Sequence, residues 1–185
     1  MDIQAFLVEA DARIDRANIN EINEFLIELD NIIEEQKDTY VLCKLYYVKA
    51  NHLSVLKEIR IIEDRHTLVE IGALETIHEQ IIYSFRKSLS LSEEDDRIEL
   101  EFKEMIITNL ANEINHVGRF VEALDLWDSV ETILNRSFPM AIGNMGLGIT
   151  TYASYLYDQG HRHYLYREAF YRLHYAIDFK EYLPN

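Results

Sequence analysis

Asn109-Leu-Ala-Asn-Glu-Ile-Asn-His-Val-Gly-Arg-Phe-Val-Glu-Ala-Leu-Asp-Leu-Trp127 is the stretch on which the fold turns. Together with Ile107 just before it, Leu110, Ala111 and Ile114 recur at three- and four-residue intervals, the period of one face of an α-helix. Gly118 then interrupts, supplying the left-handed position at which helices stop. Ala123 and Trp127 resume the period with a small residue one turn before a large one. Small residues at such places let two helices approach closely, and the large ones fill the groove between successive hairpins. The stretch therefore predicts a helix, a tight turn and a second helix packed back on the first.

Thirty-five residues further on, Ile142, Met145, Gly146 and Ile149 repeat the spacing of Ile107, Leu110, Ala111 and Ile114, and Asn144 falls in step with Asn109. This recurring pattern resembles the tetratricopeptide repeat (TPR): a large residue, then leucine and a small residue, line the first helix, and a small-x-x-x-aromatic pair marks the second. Val130 and Asn135 stand where that family usually has alanine and proline. In the second copy the distance from Gly118 to Gly160 is 42 residues, seven more than the offset. Seven residues are about two helical turns, so a first helix extended over 140–158 is expected, with Ala169, Leu173 and Ala176 on the second. Ala50, Asn51, Ile81, Phe85, Ser88 and Leu89 suggest a degenerate copy over 40–90, stretched by an insertion around 57–67.

Working outward, Ile3, Phe6, Leu7, Ala10 and Ile14 predict a short first helix, and Ile19, Ile22, Leu26, Leu29, Ile32 and Ile33 a second. Long helices follow over Tyr40 to about Ile62 and over Leu68 to Leu89. Ser92 with Asp95 has the spacing of an N-terminal capping box, so a helix is expected to start there and run to about Val117. Further helices are expected at 120–134, 140–158 and 164–178. The expected architecture is all-α: antiparallel helical hairpins stacked as a short right-handed solenoid of about seven to eight helices. It forms a single domain over 1–185, with capping helices in 1–38, the degenerate repeat in 40–90, a TPR in 100–135 and an extended TPR in 140–178.

Composition agrees with long helices. Six glycines and two prolines in 185 residues leave little punctuation for turn-dense sandwiches or barrels, and 48% apolar residues exclude a disordered chain. The net charge of −15 repels phosphate backbones and anionic lipid, which excludes a general nucleic-acid binder or membrane-surface protein and favours protein partners. One cysteine, Cys43, excludes an internal disulfide framework and, with no secretory leader or long apolar run in view, predicts a cytoplasmic protein. The charge is uneven: residues 1–38 carry −8 and 91–135 carry −9, whereas 39–90 and 136–185 each carry +1. Eight of the twelve tyrosines lie between Tyr152 and Tyr182, with His161, Arg162, His163, Arg167, Arg172 and His174 among them. Amphipathic rings beside arginines suit an interface; they equally suit a terminal helix pair that packs its rings inward and leaves the hydroxyls in water.

The TPR resemblance implies a non-catalytic scaffold whose concave groove binds a peptide or partner domain. The expected contacts are Asn109, Asn112 and Asn144 as polar groups and Tyr152, Tyr155, Arg162, Arg167 and Tyr171 as aromatic and cationic anchors. The paired basic residues of a carboxylate clamp are not found in the matching place. No cofactor or metal is expected. His78-Glu79 lacks the second histidine of a zinc helix, Cys43 sits among apolar residues, and Gly143, Gly146 and Gly148 have no phosphate-loop Gly-Lys-Ser/Thr element.

A second resemblance competes. The run from Phe138 to Ile177 is similar to the N-terminal TPR portion of bacterial proteins fused to a HEPN-type ribonuclease domain, several of which are linked with antiphage defence. That resemblance implies a sensing or docking segment covered by a C-terminal effector domain or by a second copy. It also raises an alternative, a dimeric ribonuclease using an Arg-x(4–6)-His motif, for which Arg167 with His174 and Arg60 with His66 have the spacing.

Overall fold

The computed structural model describes residues 3–14, 18–63, 71–134 and 139–178. The protein is all-α. Among the described residues there are eight helices and no strand: α1 (Ile3–Ile14), α2 (Ile19–Glu35), α3 (Thr39–Glu63), α4 (Ile71–Glu94), α5 (Leu100–His116), α6 (Phe120–Leu134), α7 (Pro139–Ser154) and α8 (Gln159–Asp178). None of them is long and apolar enough to cross a membrane. The helices group into two compact units, Met1–Glu99 and Leu100–Asn185.

In the first unit α3 is the central helix, packed along α4 and also against α2 and α1. Phe25 and Leu29 of α2 meet Leu45 and Val48 of α3 and Ala10 of α1 in a shared core, with Phe6, Ile32, Ile33 and Val41 at its margin. The α3–α4 crossing is narrow enough for side chains to bond the facing backbone. The Ser88 hydroxyl donates to the Cys43 carbonyl at 2.8 Å, and the Cys43 thiol donates to the Ser88 carbonyl at 3.3 Å. Cys43 is thus a buried structural thiol, as its apolar neighbours in sequence predict.

The capping boxes are not where sequence spacing put them. Asn18 caps α2: its Oδ1 accepts from the backbone N–H of Asn20 and Glu21, and the Glu21 carboxylate accepts from the Asn18 N–H at 3.2 Å. Ser92, expected to start a helix, lies inside α4 and donates its hydroxyl to the Leu89 carbonyl at 2.7 Å. Once that hydroxyl is turned back along its own helix it has no first turn to cap, and the next helix starts at Leu100. α3 runs to Glu63, close to the expected end near Ile62, and so carries the first part of the insertion expected around 57–67; the rest of that insertion and His66 lie outside the described residues.

Asp95 serves a different end. Its carboxylate accepts from the Arg97 backbone N–H at 3.0 Å and from Arg97 Nε at 2.9 Å. The same guanidinium reaches Asp38 Oδ1 at 2.6 Å and lies over the Tyr40 ring. Asp38 in turn caps α3 by accepting from the Tyr40 N–H at 2.9 Å. Arg97 thereby ties the segment after α4 to the α2–α3 corner. Its hydrogen bonds hold Asp95 at about 2, against an ordinary 3.8, and lower Asp38 as well. Carboxylates depressed in the folded state contribute stability that is complete above their unfolded values and disappears as pH falls through their folded values. Thermal melts followed by circular dichroism should therefore show an Arg97→Gln variant losing its deficit relative to wild type between about pH 4 and pH 2; a deficit unchanged at pH 2 refutes the pairing.

In the second unit α5 packs on α6, α7 packs on both, and α8 packs on α7. Ile107, Leu110, Ala111 and Ile114 are buried, and so are Ala123, Trp127 and Val130 of α6. Gly118, at φ 81°, closes α5 with its N–H on the Asn115 carbonyl, while the Arg119 N–H reaches the Ile114 carbonyl at 3.1 Å. This pair of bonds satisfies the last carbonyls of α5 and turns the chain into α6.

The second hairpin departs from expectation. α7 ends at Ser154, not near residue 158, and α8 begins at Gln159 with Asp158 accepting from the His161 N–H at 2.7 Å. Gly160 lies in the first turn of α8 and does not form the bend. The two extra turns are therefore divided differently: the bend is Tyr155 to Asp158, and α8 carries the additional length. The glycines of α7 serve packing on two sides. Gly143 and Gly146 face α8, where a Cβ on Gly146 would lie 2.9 Å from Leu173 Cγ and 3.2 Å from the Ala169 carbonyl oxygen. Gly148 faces α6, with its missing Cβ position 2.6 Å from Trp127 Cη2.

Candidate binding site

A cavity of about 630 Å³ opens between α5, α6 and α7. Its lining follows helical periodicity. Asn112, Asn115 and His116 are one turn apart on α5 and come to one face. Asn144, Leu147, Gly148, Thr151 and Tyr155 do the same along α7 and just past its end. Phe120 and Trp127 supply the α6 wall. Gly118 sits at the rim because the turn it makes is the corner of the cavity.

Of the residues expected to contact a partner, Asn112, Asn144 and Tyr155 line this cavity. Tyr152 stands behind them, its ring 5.4 Å from that of Phe120, which also packs on Tyr155 at 5.4 Å. Asn109 is half-buried on α5 and is not part of the lining. Arg162, Arg167 and Tyr171 belong to α8, which contributes nothing to the lining. Arg167 lies over the Tyr164 ring at 5.6 Å, and Tyr171 is 61% exposed with its ring edge-on to Phe170. The aromatic stretch near the C-terminus is thus mostly an outward face of α8: Tyr164, Tyr166, Phe170 and Tyr171 are all exposed. Arg167 and His174, the alternative catalytic pair, sit two turns apart on that exposed face, and Phe170 packs against the His174 ring at 5.7 Å.

The chemistry of the cavity is neutral. Among the described residues it is lined by no Lys, Arg, Asp or Glu, so in a protein of net charge −15 its wall offers amides, a hydroxyl, an indole and a phenol. Among the described residues His116 is the only basic side chain on it, and its Nδ1 lies 3.6 Å from the Glu113 carboxylate. Two polar atoms of the wall, Trp127 Nε1 and Asn115 Oδ1, are closed to water and have no hydrogen-bonding partner among the described residues. Both belong to side chains packed around Gly148, whose missing Cβ would lie 3.3 Å from Asn115 Oδ1.

Sequence reasoning took Trp127 as packing alone and passed over Asn115, although Asn115 follows Asn112 by one turn and the spacing was there to be read. A second, larger cavity of about 990 Å³ in the first unit, between α2, α3 and α4, is different in kind. Asp30, Lys49, Arg60, Glu75 and Glu79 line it, and Lys49 pairs with Asp30 across it. Among the described residues no group of three or more His, Cys, Asp or Glu is arranged to hold a metal ion. No protein-family model, curated protein or solved structure matches the chain.

Proposed function

We propose that this protein is a TPR-like interaction module, without chemistry of its own, that holds a peptide segment of a partner in the cavity between α5, α6 and α7. The observation that carries the reading is the convergence of Asn112, Asn144 and Tyr155 on one uncharged cavity. Asparagine side chains donate and accept at once, so they bond a peptide backbone without regard to its side chains. Phe120 and Tyr155 offer the flat apolar surface on which a bound side chain loses water. The acidic helices elsewhere keep nucleic acid and anionic lipid away, which fits a docking or sensing role within a larger bacterial effector, as the second family resemblance implies.

Selection from a random peptide display library should return a recurring motif on the wild-type chain. Synthetic peptide carrying that motif should bind the Asn112→Ala/Asn144→Ala variant about 5- to 150-fold more weakly, the loss of two hydrogen bonds of roughly 0.5–1.5 kcal/mol each. Failure to enrich any motif defeats the module reading. A motif held equally by wild type and variant moves the binding site away from this cavity.

A further inference from the structure

We propose that the wall of this cavity contains a subsite for one uncharged carboxamide group, its carbonyl oxygen taking the Trp127 Nε1–H and its N–H donating to Asn115 Oδ1. This deepens the peptide-docking reading and rests on it for the cavity's purpose, but it stands on separate observations. Trp127 is 96% buried, and its only polar atom is without a hydrogen-bonding partner among the described residues. Asn115 Oδ1, on the same wall, is in the same condition. Buried polar groups in folded proteins are nearly always paired, so two exceptions of opposite sense among the residues of one cavity, one donor and one acceptor, call for an explanation.

An amide supplies both missing halves. Its oxygen is an acceptor for the indole N–H, which can only donate, and its N–H is a donor for the asparagine oxygen, which can only accept. A carboxylate satisfies Trp127 and leaves Asn115 Oδ1 facing a second acceptor. An ammonium satisfies Asn115 and leaves Trp127 facing a second donor. Among the described residues the cavity has no acidic or basic partner for an ion beyond His116, so charged guests gain little from them. Both polar atoms are shielded from water, which makes the match selective, because a mismatched guest leaves a buried group unpaired. Asn115 is half-buried, in contrast to Trp127, and turning its side chain is the movement that admits the guest. The absence of a side chain at Gly148 lets the benzo edge of the indole seat against the α7 backbone beside Asn115: a Cβ there would lie 2.6 Å from Trp127 Cη2 and 3.3 Å from Asn115 Oδ1.

Trp127 is the only tryptophan, so the chain has a single indole N–H resonance and a single tryptophan fluorophore, both at this site. Titration of the ¹⁵N-labelled full chain with acetamide and with N-methylacetamide should move that resonance saturably. Response to acetamide alone assigns the subsite to a side-chain carboxamide; response to N-methylacetamide as well assigns it to a peptide group. N,N-dimethylacetamide, which keeps the carbonyl and lacks the N–H, should bind at least about tenfold more weakly, the scale of one unpaired buried acceptor. Asn115→Leu should abolish the preference among the three amides, and Asn115→Asp, which retains an acceptor, should keep it. The proposal is overturned if neither acetamide nor N-methylacetamide moves the resonance saturably, or if dimethylacetamide binds as well as they do; both results come from the wild-type chain and need no variant to fold. A selected peptide that binds while the amides leave the resonance unmoved removes the subsite and keeps the docking reading. Amide binding with no peptide motif enriched does the reverse.

Discussion

Trp127→Ala should lower the stability of the second unit by about 3–5 kcal/mol, the range for deleting a large buried aromatic side chain. Trp127 is 4% exposed and packs on the bare backbone of Gly148, so its removal leaves a hole bounded on one side by a helix with no side chain to fall inward. Its indole N–H has no hydrogen-bonding partner among the described residues, so the cost is one of packing and not of a lost bond. The companion variant separates the two. Trp127→Phe removes the unpartnered donor together with three of the nine ring atoms, and should cost about 1–2 kcal/mol, less than the alanine change because most of the ring still fills the site. Denaturant unfolding followed by circular dichroism measures both. An alanine variant within about 1 kcal/mol of wild type contradicts the burial of this residue and with it the α6 wall of the cavity.

Gly146→Leu should be the other severe substitution, with a net loss of about 2 kcal/mol or more. Alanine at this position already presses on Leu173 Cγ and on the Ala169 carbonyl, and backbone cannot move aside as a side chain tip can. The gain of roughly 1 kcal/mol on replacing glycine inside a helix offsets that first methyl, so Gly146→Ala should lie near wild type. Leucine adds three further carbons into the same α7–α8 crossing, and overpacking of this kind costs about 1–3 kcal/mol and occasionally more. A leucine variant that melts with wild type would show that α8 does not rest on Gly146. Because Gly146 is not part of the cavity lining, the pair of variants also separates damage to the scaffold from damage to the site.

Local sequence carried the helices well wherever their ends are decided locally. Residues 120–134 were legible to the residue as α6, because Gly118 must adopt a positive φ and the apolar period restarts immediately after it. Ser92 and Asp95 misled because a serine hydroxyl can satisfy itself on a carbonyl three residues back as readily as it caps a new helix. Which of these it does depends on whether the chain continues in helix, and there Arg97 bonds Asp95 beside it and Asp38 from a distant part of the chain, a pairing that spacing around Ser92 does not reveal. Gly160 misled for a related reason. A glycine is permitted in a bend but not required there, and Asp158 was the better helix start.

The site was legible in part. Asn112, Asn144 and Tyr155 could be placed on one side because repeat register is a property of the sequence, and they do line one cavity. Arg162, Arg167 and Tyr171 could not be placed, since composition reveals that a helix is aromatic and basic but not which neighbour, if any, its rings face.

By itself, then, the sequence determined the class of this protein and the face each helix buries, because a 3.6-residue period of apolar side chains is written along the chain and needs no distant partner to be read. Only the tertiary structure decided that Asn112 and Asn144, without Asn109 but with Asn115, line one cavity with an indole, and that a donor and an acceptor there lack partners among the described residues. Hydrogen-bond satisfaction is a matter of what arrives from other helices within about 3 Å, and no spacing along a single helix encodes it.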